Sequence, residues 1–385
     1  MRQCHNVEKM HFIITQTMMK YLPDNEATMH LKSRHIGLSA KLIKERVPIR
    51  TAYRDVLYRA GLSSYKSGAK AMALKHYQLC VFLLQDNPWA PDIPDAYYDE
   101  TRELYIQVAE MHLALGQTKE TLNALKPVFE NARTAPCKAR AWTLRSRVHS
   151  VSGDVCAALG DLFTCLEELG VKINRVATWE ESDEAYRKIS KYLQTIDFDT
   201  LLTRPLSNDR ALIAAGSVLN EAISICLWLD PMMYFHLTVE MMRLHLEYGA
   251  MAQVVYLYSQ LSAIALSRFK DVKLGLKLSD AALSILRVTS DPAAIARGIT
   301  IHNFFINHMR DPVSAILPLL ETSTEAAFFL GDRYYILLNV SSMVITRLVL
   351  GHDLGETEDL CNDATEGIDD WVHDIRGGLG IVATR

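Results

Sequence analysis

Three stretches of this chain repeat one arrangement, an apolar helical run, a glycine, and a second apolar helical run. The first reads Tyr53-Arg-Asp-Val-Leu-Tyr-Arg-Ala-Gly61-Leu-Ser-Ser-Tyr65-Lys-Ser-Gly68 and continues over residues 69–84. With Gly68 as the turn, Gly61 is the small residue of the first helix, Ala73 that of the second, and Tyr77 the second helix's large aromatic. Small residues let two antiparallel helices approach closely, and an aromatic fills the gap toward the next pair. A second unit carries Tyr105, Val108 and Ala109 before a turn at Gly116. A third carries Trp142, a turn at Gly153 and Ala158.

Small and aromatic residues so placed about a turn are the pattern of a tetratricopeptide repeat. The turn glycines lie 48 and 37 residues apart, against a period of roughly 34 in that repeat, so the units are degenerate. The longer interval holds Asp86-Asn-Pro-Trp-Ala-Pro-Asp-Ile-Pro-Asp95, whose prolines must stop the preceding helix. Further on, Thr178-Trp-Glu-Glu-Ser182 has capping-box character and predicts a helix from there to about Leu193. Residues 196–208, with Pro205, read as a linker. Periodic helices resume over 209–229, 231–248, 252–269, 272–288, 292–309, 312–330 and 333–350. Pro231, Pro292 and Pro312 stand where a helix can begin, and Gly249, Gly331 and Gly351 where a left-handed residue closes one. The expected fold is all-α, a tetratricopeptide-like helical-repeat solenoid of antiparallel helix pairs. Its expected divisions are repeats over 51–195, the linker, and a second helical-repeat region over 209–385. That region ends in Arg376-Gly-Gly-Leu-Gly-Ile-Val-Ala-Thr-Arg385, which resembles the opening of another apolar helix and reads as a truncation.

Composition narrows the function classes. Apolar residues make up 49% and charged residues 22%, which supplies a core and argues against disorder. A net charge of −4 gives no electrostatic reason to expect nucleic acid. The seven cysteines are scattered, with no C-x-x-C, so reduced thiols in a cytoplasmic protein are expected rather than a disulfide framework or a zinc ribbon. No apolar signal segment follows Met1-Arg-Gln-Cys-His5. The nearest approach to a membrane span, residues 211–229, contains Asn220 and Glu221 near its middle, so no span is expected and a buried helix is preferred.

There is no G-x-x-x-x-G-K-[ST], no G-x-G-x-x-G, no H-R-D and no D-F-G to position phosphates and magnesium. Gly377-Gly-Leu-Gly380 follows no strand and reads as a helix break. Among thirteen histidines, His30 and His35, His236 and His245, and His302 and His308 are spaced five, nine and six apart, whereas two ligands on one helical face need three or four. No serine sits in G-x-S-x-G, and no cysteine has a local electropositive signature. Glu180-Glu181 and Asp369-Asp370 read as solvated faces, and Met232-Met233 with Met241-Met242 as core. Trp89, near Tyr97 and Tyr98, is expected to staple its loop onto the first repeat. No catalytic, cofactor-binding or metal-binding residue is assigned.

Several segments resemble the fungal hybrid histidine kinases that also carry a serine/threonine-kinase-like domain and an AAA-type ATPase module. They are Tyr53-Arg-Asp-Val-Leu-Tyr-Arg-Ala-Gly-Leu62, Leu83-Leu-Gln-Asp-Asn-Pro-Trp89, Pro94-Asp-Ala-Tyr-Tyr-Asp-Glu-Thr101, Ala139-Arg-Ala-Trp142 with Arg145-Ser-Arg147, Ala177-Thr-Trp-Glu-Glu181, His308-Met-Arg-Asp311 and Asp370-Trp-Val-His-Asp-Ile-Arg-Gly-Gly378. In that family a helical, tetratricopeptide-like region lies between the ATPase module and a GAF, histidine kinase and receiver array. The resemblance implies that residues 1–50, with Tyr21-Leu-Pro-Asp-Asn25 and His30-Leu-Lys-Ser-Arg34, close the ATPase module. Nothing here matches the family's nucleotide loop, Walker motifs, phosphoacceptor histidine or receiver aspartate, so none of its catalytic residues is carried over. The implied role is a non-catalytic scaffold in a phosphorelay kinase, with protein partners or flanking kinase modules and with ATP bound only elsewhere. A free-standing tetratricopeptide-type adaptor is the alternative.

Overall fold

The computed structural model describes residues 2–289, 291–366 and 381. Among them the chain is all-α, with helices α1 (Arg2–Tyr21), α2 (Glu26–Arg46), α3 (Thr51–Lys66), α4 (Lys70–Phe82), α5 (Tyr98–Ala114), α6 (Thr118–Asn131), α7 (Ala135–Val151), α8 (Val155–Glu168) and α9 (Trp179–Thr195). There follow α10 (Phe198–Leu202), α11 (Arg210–Leu229), α12 (Pro231–Tyr248), α13 (Val254–Ser267), α14 (Val272–Leu286), α15 (Pro292–Phe305), α16 (Ile316–Leu330), α17 (Arg333–Leu350) and α18 (Leu354–Thr365). The chain divides into two compact units, Met1–Asp161 and Leu162–Arg385. The division falls elsewhere than at residues 196–208. There the expected linker carries α10, whose Phe198 and Leu201 are buried. Nor do residues 1–50 stand apart, because Ile36, Ala40 and Ile43 of α2 share one core with Val56, Leu57 and Ala60 of α3 and Cys80 of α4.

In the first unit each expected glycine turn has φ near +75 to +80°, namely Gly68 (+79°), Gly116 (+74°) and Gly153 (+80°). The amide after each glycine reaches back five residues, as in Ala69 to Ser64, Gln117 to His112 and Asp154 to His149, which closes the last helical carbonyls in a Schellman motif. Counting from these turns makes the repeat visible. Seven residues before them stand Gly61, Ala109 and Ser146, and five residues after stand Ala73, Thr121 and Ala158, all buried. The Ser146 hydroxyl donates to the Ala158 carbonyl at 2.9 Å, so the two small positions touch across the helix pair.

At Gly61 the approach is close, since a Cβ there would lie 2.7 Å from the ring of buried Tyr77. We expect Gly61→Ala to lower stability by up to about 2 kcal/mol, overpacking of about 1–3 kcal/mol being offset in part by helix propensity of about 1 kcal/mol. Urea unfolding of the two proteins checks this, and a more stable Gly61→Ala chain would refute it.

The proline-rich loop is locked to α3 by charge. Arg50, which precedes α3, offers no side-chain cap. Asp95 supplies one from the loop, accepting the amides of Arg50 at 2.9 Å and Thr51 at 3.0 Å. Asp95 also takes Arg54 Nη1 at 2.7 Å, with both side chains fully buried. Arg54 Nε and Nη2 meet the Glu100 carboxylate at 2.7 and 2.8 Å, while Arg50 Nε donates to the Leu83 carbonyl at 2.8 Å. Asp95 holds a left-handed backbone, φ +67°, unusual for a non-glycine residue.

In the second unit the expected capping box forms. The Thr178 hydroxyl accepts the Glu181 amide at 3.2 Å and Glu181 Oε2 accepts the Thr178 amide at 3.0 Å. Tyr186 of α9 stacks on Phe269 with ring centroids 3.9 Å apart. Helices α12 and α17 have the expected bounds, and Gly331 (φ +66°) and Gly351 (φ +72°) are left-handed as expected. Gly249 closes α12 with a positive φ too, 134°, but with ψ 169° it takes a glycine-favouring conformation outside the left-handed helical one. The run expected over 292–309 breaks at Ile306 into a 3-10 turn, Asn307–Met309. Pro312 precedes another, Val313–Ala315, with ψ 146°, instead of opening α16. The glycine-rich end, Asp369-Asp370 and the expected truncation lie outside the described residues.

Candidate interaction surface

An open groove of about 400 Å³ runs between α4, α5 and α6 of the first unit. Val81, Tyr105, Val108 and Ala124 give it apolar walls, and Gln78, His112, Glu120 and Asn123 add polar groups. Tyr105 is fixed by Trp89, stacked on it at 5.8 Å, so the loop is stapled to α5 of the second repeat rather than to the first repeat as expected. His112 Nδ1 lies 2.6 Å from Gln117 Oε1, an acceptor, so Nδ1 carries the proton and Nε2 faces the Gln78 amide at 3.4 Å. The imidazole is thus held in one orientation beside the groove.

The first helices of the three repeats present a second set of groups. Arg140 of α7 reaches both Glu103 oxygens at 2.8 Å and Glu110 at 2.7 Å on α5, and Gln107 Nε2 donates to Glu103 at 2.8 Å. Burial alone would raise the Glu103 carboxyl, but the Arg140 charge and these hydrogen bonds hold it below the usual range. Tyr58 of α3 lies near enough to feel the same charges, its hydroxyl pushed up by burial and then by Glu103.

The second unit has a groove of about 460 Å³ between α9 and α12, lined by residues that include Glu181, Glu184, Lys188, Val239 and Arg243. Its charges are largely paired within their own helices, Lys188 with Glu184 at 2.7 Å and Arg243 with Glu247 at 2.6 Å. That leaves the first groove the better candidate for an outside ligand.

Other sequence features resolve into packing. Met233, Met241 and Met242 are buried, as are His236, His245 and His302. His245 Nδ1 accepts the Met251 amide at 3.3 Å and His302 Nδ1 faces the Ser279 hydroxyl at 3.2 Å. Cys137 corrects the expectation that no cysteine has an electropositive surrounding. In the first turn of α7 its sulfur receives Arg102 Nη1 at 3.0 Å and the Thr134 hydroxyl at 3.2 Å. Burial would raise this thiol, but those donors, the Tyr98 hydroxyl and the Arg102 charge lower it on balance. Arg102 is thirty-five residues away in sequence, which is why no local motif showed it.

Among the described residues no group of three or more His, Cys, Asp or Glu side chains could hold a metal ion. Two stretches, Arg210–Leu227 and Val313–Leu330, are long and apolar enough to cross a membrane by length and composition alone. The first is mostly buried inside the fold, as a core helix is, and the second less so. No protein-family model and no curated protein matches the chain.

Proposed function

We propose that this chain is a non-catalytic interaction scaffold whose first-unit groove receives an extended segment of a protein partner. The observation that carries the reading is the α4–α5–α6 groove, where apolar walls lie beside polar side chains, at least one of them fixed by its own hydrogen bonds. Alternation of apolar and polar contacts is what a peptide needs, because its side chains require burial while its backbone amides require partners. The segments that resemble the hybrid histidine kinases support a setting for the scaffold, a cytoplasmic multidomain phosphorelay kinase in which catalysis belongs to other modules.

Asn123 is exposed at the groove, so Asn123→Trp should fill it without removing a core contact. Screened against a peptide array, the unaltered chain should retain a subset of peptides and Asn123→Trp should weaken them at least tenfold, with helicity unchanged. Equal binding by both chains would sink the groove as the site. The kinase setting has a separate test in the transcript. A reading frame that continues past Arg385 into a GAF-like segment supports it, and an in-frame stop there favours the free-standing adaptor.

A further inference from the structure

The groove between α4, α5 and α6 is polarised along its length, and its two ends call for different side chains. Each of the three helices lines it with a polar residue, Gln78, His112 or Glu120, and with an apolar one, Val81, Val108 or Ala124. The polar residues gather at the turn of Gly116. There the Gln117 amide donates to the His112 carbonyl at 2.9 Å, and Glu120 follows three residues later in the first turn of α6. Gln78 joins them from α4, its amide nitrogen 3.4 Å from His112 Nε2. The apolar residues lie away from that turn, where Val81 and Ala124 both pack against the cluster that holds Val108.

From Glu120 to Ala124, and from His112 back to Val108, the axial rise over four residues is about 6 Å. Side chains two residues apart on an extended chain share a face and stand about 6.6 Å apart, which spans the two ends. Glu120 is the only Asp, Glu, Lys or Arg among the residues that line the groove, and among the described residues it has no ion-pair partner. The charges beside the second unit's groove, by contrast, are paired within their own helices. Asn123, exposed one turn along from Glu120, has no hydrogen-bond partner among the described residues either. Resting on the reading of this groove as a peptide site, we propose that the segment it takes is basic and amphipathic. An apolar side chain sits against Val81, Val108 and Ala124, and a lysine or arginine two residues away pairs with Glu120. The Asn123 carboxamide is placed to bond the backbone between them. An acidic segment of the same shape meets a like charge at the polar end and is rejected. A carboxylate in a helix's first turn also suits the positive end of the helix dipole, a role that involves no partner.

Labelled nonapeptides with a central leucine or phenylalanine, and with lysine, glutamine or glutamate two places from it, separate the two roles when titrated against the full chain by fluorescence anisotropy. Lysine peptides should bind about two- to fivefold tighter than their glutamine counterparts, the range of an exposed ion pair. Glutamate peptides should bind more weakly than either, and high salt should narrow both margins. Glu120→Gln should remove the lysine preference and Glu120→Lys should turn it toward glutamate, while glutamine peptides bind all three chains equally. Circular dichroism and Tm verify that these exposed substitutions leave the fold intact. Asn123→Trp should weaken every peptide whatever its charge. A lysine preference that persists in Glu120→Lys would overturn the basic motif and leave the groove standing. So would equal binding of lysine and glutamine peptides by a chain whose binding Asn123→Trp abolishes. If the unaltered chain binds none of the peptides, or Asn123→Trp changes nothing, the groove reading falls and this assignment falls with it.

Discussion

Acidification from pH 7 to about pH 5 will destabilise the second unit by several kcal/mol, before the bulk of the carboxylates titrate. His245 and His302 are each pushed down to about 4, first by burial and then by Arg204 and Arg310 respectively. The physical reason at His245 is visible in its bonds. Nδ1 accepts the Met251 amide at 3.3 Å, so the proton sits on Nε2 beside the Tyr258 hydroxyl at 3.2 Å. A second proton on Nδ1 would point at that amide and expel the bond.

The sign follows from proton counts. Below about pH 6.5 the unfolded chain takes up these protons and the folded chain does not, so folding loses free energy as pH falls. The stability is fully present above the unfolded value near 6.5 and is lost progressively down to about 4. Each histidine contributes on the order of 2–4 kcal/mol over that window, at 1.36 kcal/mol per unit. His236, also buried and lowered by burial, acts in the same direction. Urea unfolding at pH 7, 6, 5 and 4.5 should show a midpoint that falls steadily, and His302→Gln should remove about one proton's worth of the slope. A flat profile between pH 7 and 5 would contradict the burial of these rings as neutral groups.

The second large effect belongs to Asp95. Asp95→Ala should cost about 3–5 kcal/mol, because it strips a partner from a buried guanidinium. Glu100 still holds two of the Arg54 nitrogens, but the amides of Arg50 and Thr51 lose the carboxylate that accepts them at the start of α3. Asp95→Asn keeps shape and one oxygen, and should fall between the two. Against burial, which would raise it, the hydrogen bonds from Arg54 and Thr51 and the amide of Arg50 hold this carboxyl at about 2. Its stabilisation is therefore present above about pH 3.8 and lost as pH falls toward 2, a window distinct from that of the histidines. Urea unfolding of the three proteins at pH 7 checks the ranking, and an Asp95→Ala chain as stable as the parent would exclude the lock as a structural element.

Glycine, alanine and proline carried the parts of this fold that a reader of sequence can see. Gly68, Gly116 and Gly153 mark turns because a left-handed residue is needed there, and that need is local. Gly61 with Tyr77 was legible for the same reason, since size at a fixed helical offset is a local property. Ser146 and Thr121 fill small positions too, but a hydroxyl residue is not obviously small until its partner, the Ala158 carbonyl for Ser146, is in place. The charged contacts were hidden altogether. Arg54 and Asp95 are forty-one residues apart, and Arg102 and Cys137 thirty-five, so spacing within one helix says nothing of them. The groove was invisible for a related reason, because its walls come from three helices that each look ordinary alone.

The lock on α3 also orders events in time. The helix starts at Thr51, yet the carboxylates that finish its first turn, Asp95 and Glu100, arrive more than forty residues later. A chain leaving the ribosome at about 5–20 residues per second therefore makes α3 and α4 seconds before their closing contact exists. Until then two cationic side chains stand beside a turn with open amides, so the first repeat is completed by its successor's leading edge rather than by itself.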